Sequence, residues 1–317
     1  MPAITATAPG KVILFGEHAV VYGRPAIAVP VNQVRARVVI SADPHSAPGR
    51  VLVQAPDVGL EAELGELPEK HPLAQAILGT LKAFGLERMP ACAVRISSTI
   101  PVAAGLGSGA AVSVALIRAT ATFLGQRLPA ERVSALAYEV DKLYHGTPSG
   151  IDNTVIAYGL PVYFIRGQPI ELLKLPVPFT IVIGDTGIQS PTAIAVGDLR
   201  RLWQEDPGRY EALFDAVGVI AQAARRSIES GKPDELGPLM NENQVLLAKM
   251  GISCPELDRL VAAALSAGAL GAKLSGGGRG GNMIALVRSE AAASVAQALE
   301  RSGAIRTIST SVRLRAQ

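Results

Sequence analysis

P-V-A-A-G-L-G-S-G-A-A-V-S, Pro101 to Ser113, sets Gly105, Gly107 and Gly109 around Leu106 and Ser108, with a run of helix formers directly after. No Cβ stands in the way of such a loop, so its backbone N–H groups can come close to an anion. A helix expected over about 108–124 would add unpaired N–H groups and the positive end of its dipole. Ser108 places a hydroxyl at the mouth, suited to a phosphate oxygen or a magnesium ion. The plain alternative is a helix N-cap among flexible glycines.

The kind of loop can be narrowed. A P-loop needs G-x-x-x-x-G-K-[ST], and no lysine follows these glycines. Gly105, Gly107 and Ala110 match G-x-G-x-x-A, a dinucleotide fingerprint, but Thr99-Ile100-Pro101 separates them from the preceding strand pattern. Gly276, Gly278 and Gly281 in S-G-G-G-R-G-G match too, yet lead into N-M-I-A-L-V, which reads as a strand rather than a helix. Both matches are weak, and a dinucleotide fold is the lesser reading.

The 317 residues suffice for two domains with a sizeable core, and with 49% apolar and 18% charged residues the chain is globular. A net charge of +3 and 4% aromatics argue against a nucleic-acid surface. Cys92 and Cys254 have no metal-ligand spacing and read as reduced core thiols. The first residues, M-P-A-I-T-A-T-A-P-G, lack the basic and apolar regions of a signal peptide. The uncharged span between Arg95 and Arg118 is broken by Pro101 and glycines, so no membrane segment is expected. A cytoplasmic protein is the expectation.

Upstream lies P-G-K-V-I-L-F-G-E-H-A-V-V-Y-G, residues 9–23, whose apolar run 11–15 reads as a strand. Lys11, Glu17 and His18 stand among residues that favour burial, and a lone buried charge is costly. An internal Lys11–Glu17 bridge with a surface histidine, or a functional cluster, would each satisfy this. Strands are also expected at 34–41 and 91–97, and helices at 72–84 and 129–144. Asp141 and His145 share a face of that last helix, and H-G-T-P-S-G-I-D-N-T then turns to Asp152. Two carboxylates brought together by a tight turn could divide the work of holding Mg²⁺ and accepting a proton. Alternatively, Asp152 caps a short helix running to Tyr158.

A proline-rich stretch near residue 170 marks the expected boundary between domains 1–170 and 171–317. Beyond it come a strand at 179–183, helices at 192–205, 209–230, 235–249 and 255–267, a strand–glycine loop–strand at 273–287, and a final strand at 305–315.

Together these stretches resemble the GHMP family of small-molecule kinases, in the family's order and across both halves of the chain. The fold so implied is α+β, with an N-terminal domain of the ribosomal protein S5 domain 2-like kind containing a left-handed β-α-β crossover. A ferredoxin-like C-terminal domain follows, with the active site in the cleft between. Among the branches that share G-E-H, the continuation A-V-V-Y-G is that of the members that phosphorylate mevalonate. The activity implied is therefore transfer from Mg-ATP to the 5-hydroxyl of mevalonate, commonly by homodimers. Another small alcohol or phosphorylated substrate, or a non-catalytic nucleotide-binding relative, are the alternatives; retention of Lys11, Asp141 and Asp152 disfavours the last.

Residue by residue, the resemblance makes Asp152 the base for the substrate hydroxyl and Lys11 the cation that stabilises the alkoxide and the transferring phosphoryl group. It assigns ATP to Pro101, Ala104, Gly105, Leu106, Gly107, Ser108, Gly109 and Ala110, and Mg²⁺ to Ser108 and Asp141. Glu17, His18, Gly150, Ser275 and Gly276, with Asp152, fall on the substrate side, and Ser190 and Thr192 lie in a further similar segment. Three positions depart from the pattern. Gly109 replaces a serine that often ligates the metal, Arg279 interrupts the last glycine run, and Asn282 replaces a cysteine. Arg279 would reach a phosphate or point to solvent.

Overall fold

The computed structural model describes residues 3–101, 104–145, 148–189 and 192–314. Its first half runs β1 (Ile4–Phe15), β2 (Ala26–Ala42), β3 (Val51–Ala55), β4 (Leu60–Glu63), α1 (Pro72–Ala83), β5 (Cys92–Ser98), α2 (Ser108–Phe123), α3 (Ala130–His145) and α4 (Ile151–Tyr158). Next come β6 (Val162–Phe164), β7 (Glu171–Leu172), β8 (Phe179–Asp185), α5 (Thr192–Glu205) and α6 (Pro207–Glu229). The chain closes with α7 (Leu236–Lys249), α8 (Pro255–Ser266), β9 (Gly271–Ser275), β10 (Asn282–Val287), α9 (Ala292–Arg301) and β11 (Arg306–Val312).

These elements form two compact units of interleaved segments. The first takes the described parts of Met1–Gly10, Val34–Pro101 and Gly107–Gly159; the second takes those of Lys11–Gln33, Val102–Leu106 and Leu160–Gln317. In the first unit β3 pairs antiparallel with β4 and parallel with β5, and β5 pairs antiparallel with β2, Ala36 opposite Ser98 through Ala42 opposite Cys92. Cys92, Val94 and Ile96 are buried while Arg95 and Ser97 are exposed, the period of two that marks a half-buried strand. Helix α2 buries Ala110, Ala111 and every residue from Ser113 to Ile117, more than one face of a helix, and packs against α1, α3 and α4.

The second unit contains an antiparallel sheet in the order β11-β8-β10-β9, which is 4-1-3-2 along the chain and the ferredoxin-like arrangement. Helices α7, α8 and α9 pack on it, around a core that includes Val182, Phe214, Leu247, Leu274, Met283 and Leu299. Helix α7 approaches β9 through a glycine pair, since a Cβ on Gly271 would lie 2.1 Å from the Gly237 carbonyl oxygen. Strand β2 begins at Ala26, ahead of the expected residue 34. Residues 26–31 are all buried, so they show no alternation by which to read them. Helix α9 also escapes a periodicity reading, because its buried face is only Val295 and Leu299 among alanines. Both cysteines are free, and among the described residues no helix is long and apolar enough to cross a membrane.

Candidate active site

Within the first unit, α2 starts at Ser108 with Gly107 as N-cap at φ 73° and no side-chain cap bond. No side chain caps its first-turn N–H groups, an arrangement suited to an anion, while Gly107 itself is the glycine N-cap of the plain reading. Ser108, Gly109 and Ala110 form that first turn, and Pro101 closes the preceding segment of the same unit.

Asp141 projects from α3 and is 7% exposed. Asp152 lies in the first turn of α4, whose N-cap is Gly150 at φ 89° without a side-chain cap bond. Asp152 is thus not the cap; it sits where a carboxylate complements the positive end of the helix. Its neighbours fix that turn. Asn153 donates from Nδ2 to the Ser134 carbonyl (3.0 Å) and Oγ (2.9 Å), and Thr154 Oγ1 donates to the Gly150 carbonyl (2.7 Å). Sequence reading singled out neither Asn153 nor Thr154; the N-T directly after Asp152 was the available clue. Gly146 and Thr147 of the turn, and Ser190, lie outside the described residues, while Thr192 opens α5.

In the second unit, Lys11 is 4% exposed near the end of β1, and its N–H donates to the Leu106 carbonyl at 3.0 Å, tying the first motif to the loop of Ala104, Gly105 and Leu106. Glu17 takes Lys273 of β9 as its ion partner, and both side chains are fully buried. Lys273 also donates to the Leu274 carbonyl (2.6 Å), and Asn243 Nδ2 lies 3.4 Å from Glu17 Oε2. Burial pushes the Glu17 carboxyl up and the Lys273 ammonium down, each opposed by the attraction of the other. The bridge that sequence reading drew to Lys11 is therefore drawn to a residue of the other end of the chain. Tyr22 of the motif and Arg24 just after it are anchors as well. Tyr22 stacks on Phe214 at 4.1 Å, and Arg24 pairs with Glu211 and with Asp215 (3.0 Å) of α6.

The third glycine run, between β9 and β10, is tied down at both ends and at Arg279. Ser275 Oγ donates to the Ile13 carbonyl (2.8 Å) and accepts from Ile13 N–H (3.1 Å). Gly276 has φ 94° and faces the Gly105 carbonyl, 3.9 Å from where its Cβ would be. Asn282, in the place of the family's cysteine, is 2% exposed and donates from Nδ2 to the Ala104 carbonyl. Arg279 neither ends free in solvent nor stands alone; it meets Asp198 of α5 at 2.5 Å.

His18 is 5% exposed, which removes the surface-histidine alternative. Its Nε2 lies 3.0 Å from the Gly277 carbonyl, a contact that requires the proton on Nε2. Burial, with a smaller contribution from the Arg279 guanidinium, pushes its pKa from 6.5 down to about 4. Between those two values the unfolded chain binds a proton that the native one does not, so stability rises with pH through the window and is lost as pH falls. The slope from this residue is at most about 1.4 kcal/mol per pH unit. Urea unfolding from neutral pH down to the lower value should show it, with the imidazole neutral by NMR throughout most of the range. A His18 resonance titrating at the ordinary histidine value would refute this.

Comparison with known proteins identifies the family. The GHMP kinases N terminal domain model matches residues 72–159 and the GHMP kinases C terminal model residues 222–305. The chain belongs to the GHMP kinase family. It is 39% identical over 305 residues to a mevalonate kinase of Pyrococcus horikoshii, covering 89% of this chain and 88% of that protein. Among solved structures, L. major mevalonate kinase in complex with R-mevalonate superposes with a TM-score of 0.82 at 30% identity, covering 99% of this chain and 97% of that one. The Methanococcus jannaschii mevalonate kinase does so with a TM-score of 0.84 at 25% identity, covering 99% of each.

Proposed function

We propose that this chain transfers the γ-phosphoryl group of ATP to the 5-hydroxyl of mevalonate. The observation that carries the reading is a carboxylate, Asp152, in the first turn of α4, in the same unit as a helix start with no side-chain cap behind a glycine turn. Relatives named for this reaction match along nearly the whole chain. Asp152 accepts the proton from the 5-hydroxyl as that oxygen bonds to the γ-phosphorus and the bridge to ADP breaks. Lys11 stabilises the developing alkoxide and the phosphoryl oxygens, and the N–H groups from Gly105 to Ala110 cradle the phosphates. His18, Gly150, Ser275 and Gly276 belong to the substrate side. Glu17 acts there indirectly, by holding Lys273 and the strand that leads into the last glycine loop.

Among the described residues no three His, Cys, Asp or Glu side chains converge as a metal cage. One carboxylate and one hydroxyl, Asp141 and Ser108, are hard oxygen donors that suit Mg²⁺, which takes much of its shell from phosphates and water. Those two residues would hold it, with Ser108 serving in place of the serine absent at Gly109. When bound, Mg²⁺ would neutralise charge on the β- and γ-phosphates. We infer further that the enzyme acts in the cytoplasm and, since dimers are common among members of this family, as a homodimer.

ADP release with Mg-ATP, compared across mevalonate, phosphomevalonate, galactose and homoserine, tests the assignment. Turnover on mevalonate alone is expected. Turnover on another of these compounds would keep the fold and overturn the substrate; ATP binding without turnover would restore the reading of a non-catalytic binder.

A further inference from the structure

Between Ser275 and Asn282 the chain is glycine at every position except Arg279, so this is the only side chain the loop possesses. Among the described residues, Arg279 (φ 56°) and His18 (φ 60°) are the non-glycine residues with positive φ. A glycine would adopt that backbone without strain, as the rest of the run does, so the arginine stands there against the local preference. Three bonds hold it. Its N–H donates to the Ile252 carbonyl (2.7 Å), Nε to the Gly251 carbonyl (3.2 Å) and Nη1 to Asp198 Oδ2 (2.5 Å). Asp198 also lies 3.7 Å from Arg201 on its own helix, and Arg279 keeps the Asp198 carboxyl below its ordinary range.

The other side of the loop meets the segment just before α5. Gly281 N–H donates to the Ile188 carbonyl (2.9 Å), while the Gly281 carbonyl accepts from Thr186 N–H and Oγ1, both at 2.9 Å. A Cβ on Gly280 would stand 2.7 Å from the Ile188 oxygen, and one on Gly278 2.3 Å from the Ile252 oxygen. The loop is therefore clasped between the strand-to-helix connection at 186–188 and the turn at 251–252. Among the described residues, Arg279 is the loop's one hydrogen-bonded tie to the body of α5.

We propose that Arg279 and Asp198 form a latch that sets the glycine loop in its binding conformation before substrate arrives, Arg279 acting as a positioning residue. The inference rests on the reading of this loop as part of the kinase site. A run of glycines has much conformational freedom to lose on binding, and a tie made in advance removes part of that cost. A half-exposed ion pair is weak, so the effect is modest and local. It falls on substrate affinity rather than on the chemical step, because the guanidinium is committed to Asp198 and a main-chain carbonyl.

The test uses Arg279→Gly, which relieves the strained backbone and so should fold, Asp198→Asn, and the double variant. Each single variant should raise the KM for mevalonate about three- to tenfold with kcat within about twofold of the original, the signature of lost binding rather than lost transition-state contact. The double variant should be no worse than either single one, since both break the same tie. Hydrogen exchange of the free protein should show faster exchange in the 276–282 peptide in all three. Unchanged loop exchange, additive effects, or a loss confined to kcat would overturn the latch, the last by making Arg279 a cation on the phosphoryl group. Absence of mevalonate turnover in the original protein would refute the kinase reading instead, and the loop exchange would then decide the latch alone.

Discussion

Replacing Asp152 by Asn is expected to lower kcat on mevalonate by roughly 10³-fold, the scale of a positioned general base, while ATP still binds. The substitution keeps the size of the side chain, and the bonds of Asn153 and Thr154 hold the helix turn in both forms. What it removes is the acceptor for the hydroxyl proton. Loss in kcat and in kcat/KM should therefore be similar, as for an interaction made only in the transition state. Steady-state kinetics beside calorimetric titration of ATP would separate the two effects. A variant that kept more than about a tenth of the activity would remove Asp152 from the base's role.

The second large effect concerns stability. Glu17→Ala or Lys273→Ala leaves the other charge buried without its ion partner in a place where both side chains are fully enclosed. Breaking such a pair costs roughly 3–5 kcal/mol, whereas exchanging both members for apolar residues of similar volume is often neutral. The single variants should thus melt well below the original protein, and Glu17→Leu combined with Lys273→Met should recover most of the loss. Activity is the informative second readout. If Glu17 acts by holding β9 and the loop after it, the apolar double variant retains substantial turnover; if Glu17 touches substrate, turnover stays low even where stability returns. Single variants with unchanged melting temperatures would contradict the structural role of the pair.

How much of this could be read from the chain alone follows from what each feature depends on. The glycine turns at 105–109 and 276–281 were legible because their chemistry is local: positive φ, small side chains and an ensuing helix or strand. The ferredoxin-like sheet followed from the family resemblance rather than from its strands, since Phe179–Asp185 and Asn282–Val287 are buried almost throughout and show no alternation that would set a register. The partner of Glu17 was not legible. Lys11 is the nearby cation, but Lys273, 256 residues away, is the one that the fold delivers. Arg279 left two outcomes open in the sequence, phosphate or solvent, and took a third, because Asp198 is on a helix whose packing no local pattern announces. Tyr22 of the first motif and Arg24 just after it fasten that segment to α6, a role that no pattern along the chain announces.

The most direct measurement is ³¹P NMR of the products formed from Mg-ATP and mevalonate, with Asp152→Asn run in parallel. The account predicts one ADP for each phosphate monoester, with the new phosphorus coupled to the C5 methylene protons, and no product from the variant on the same time scale. ADP formed without that monoester, a phosphate on another oxygen, or equal product from the variant would contradict it.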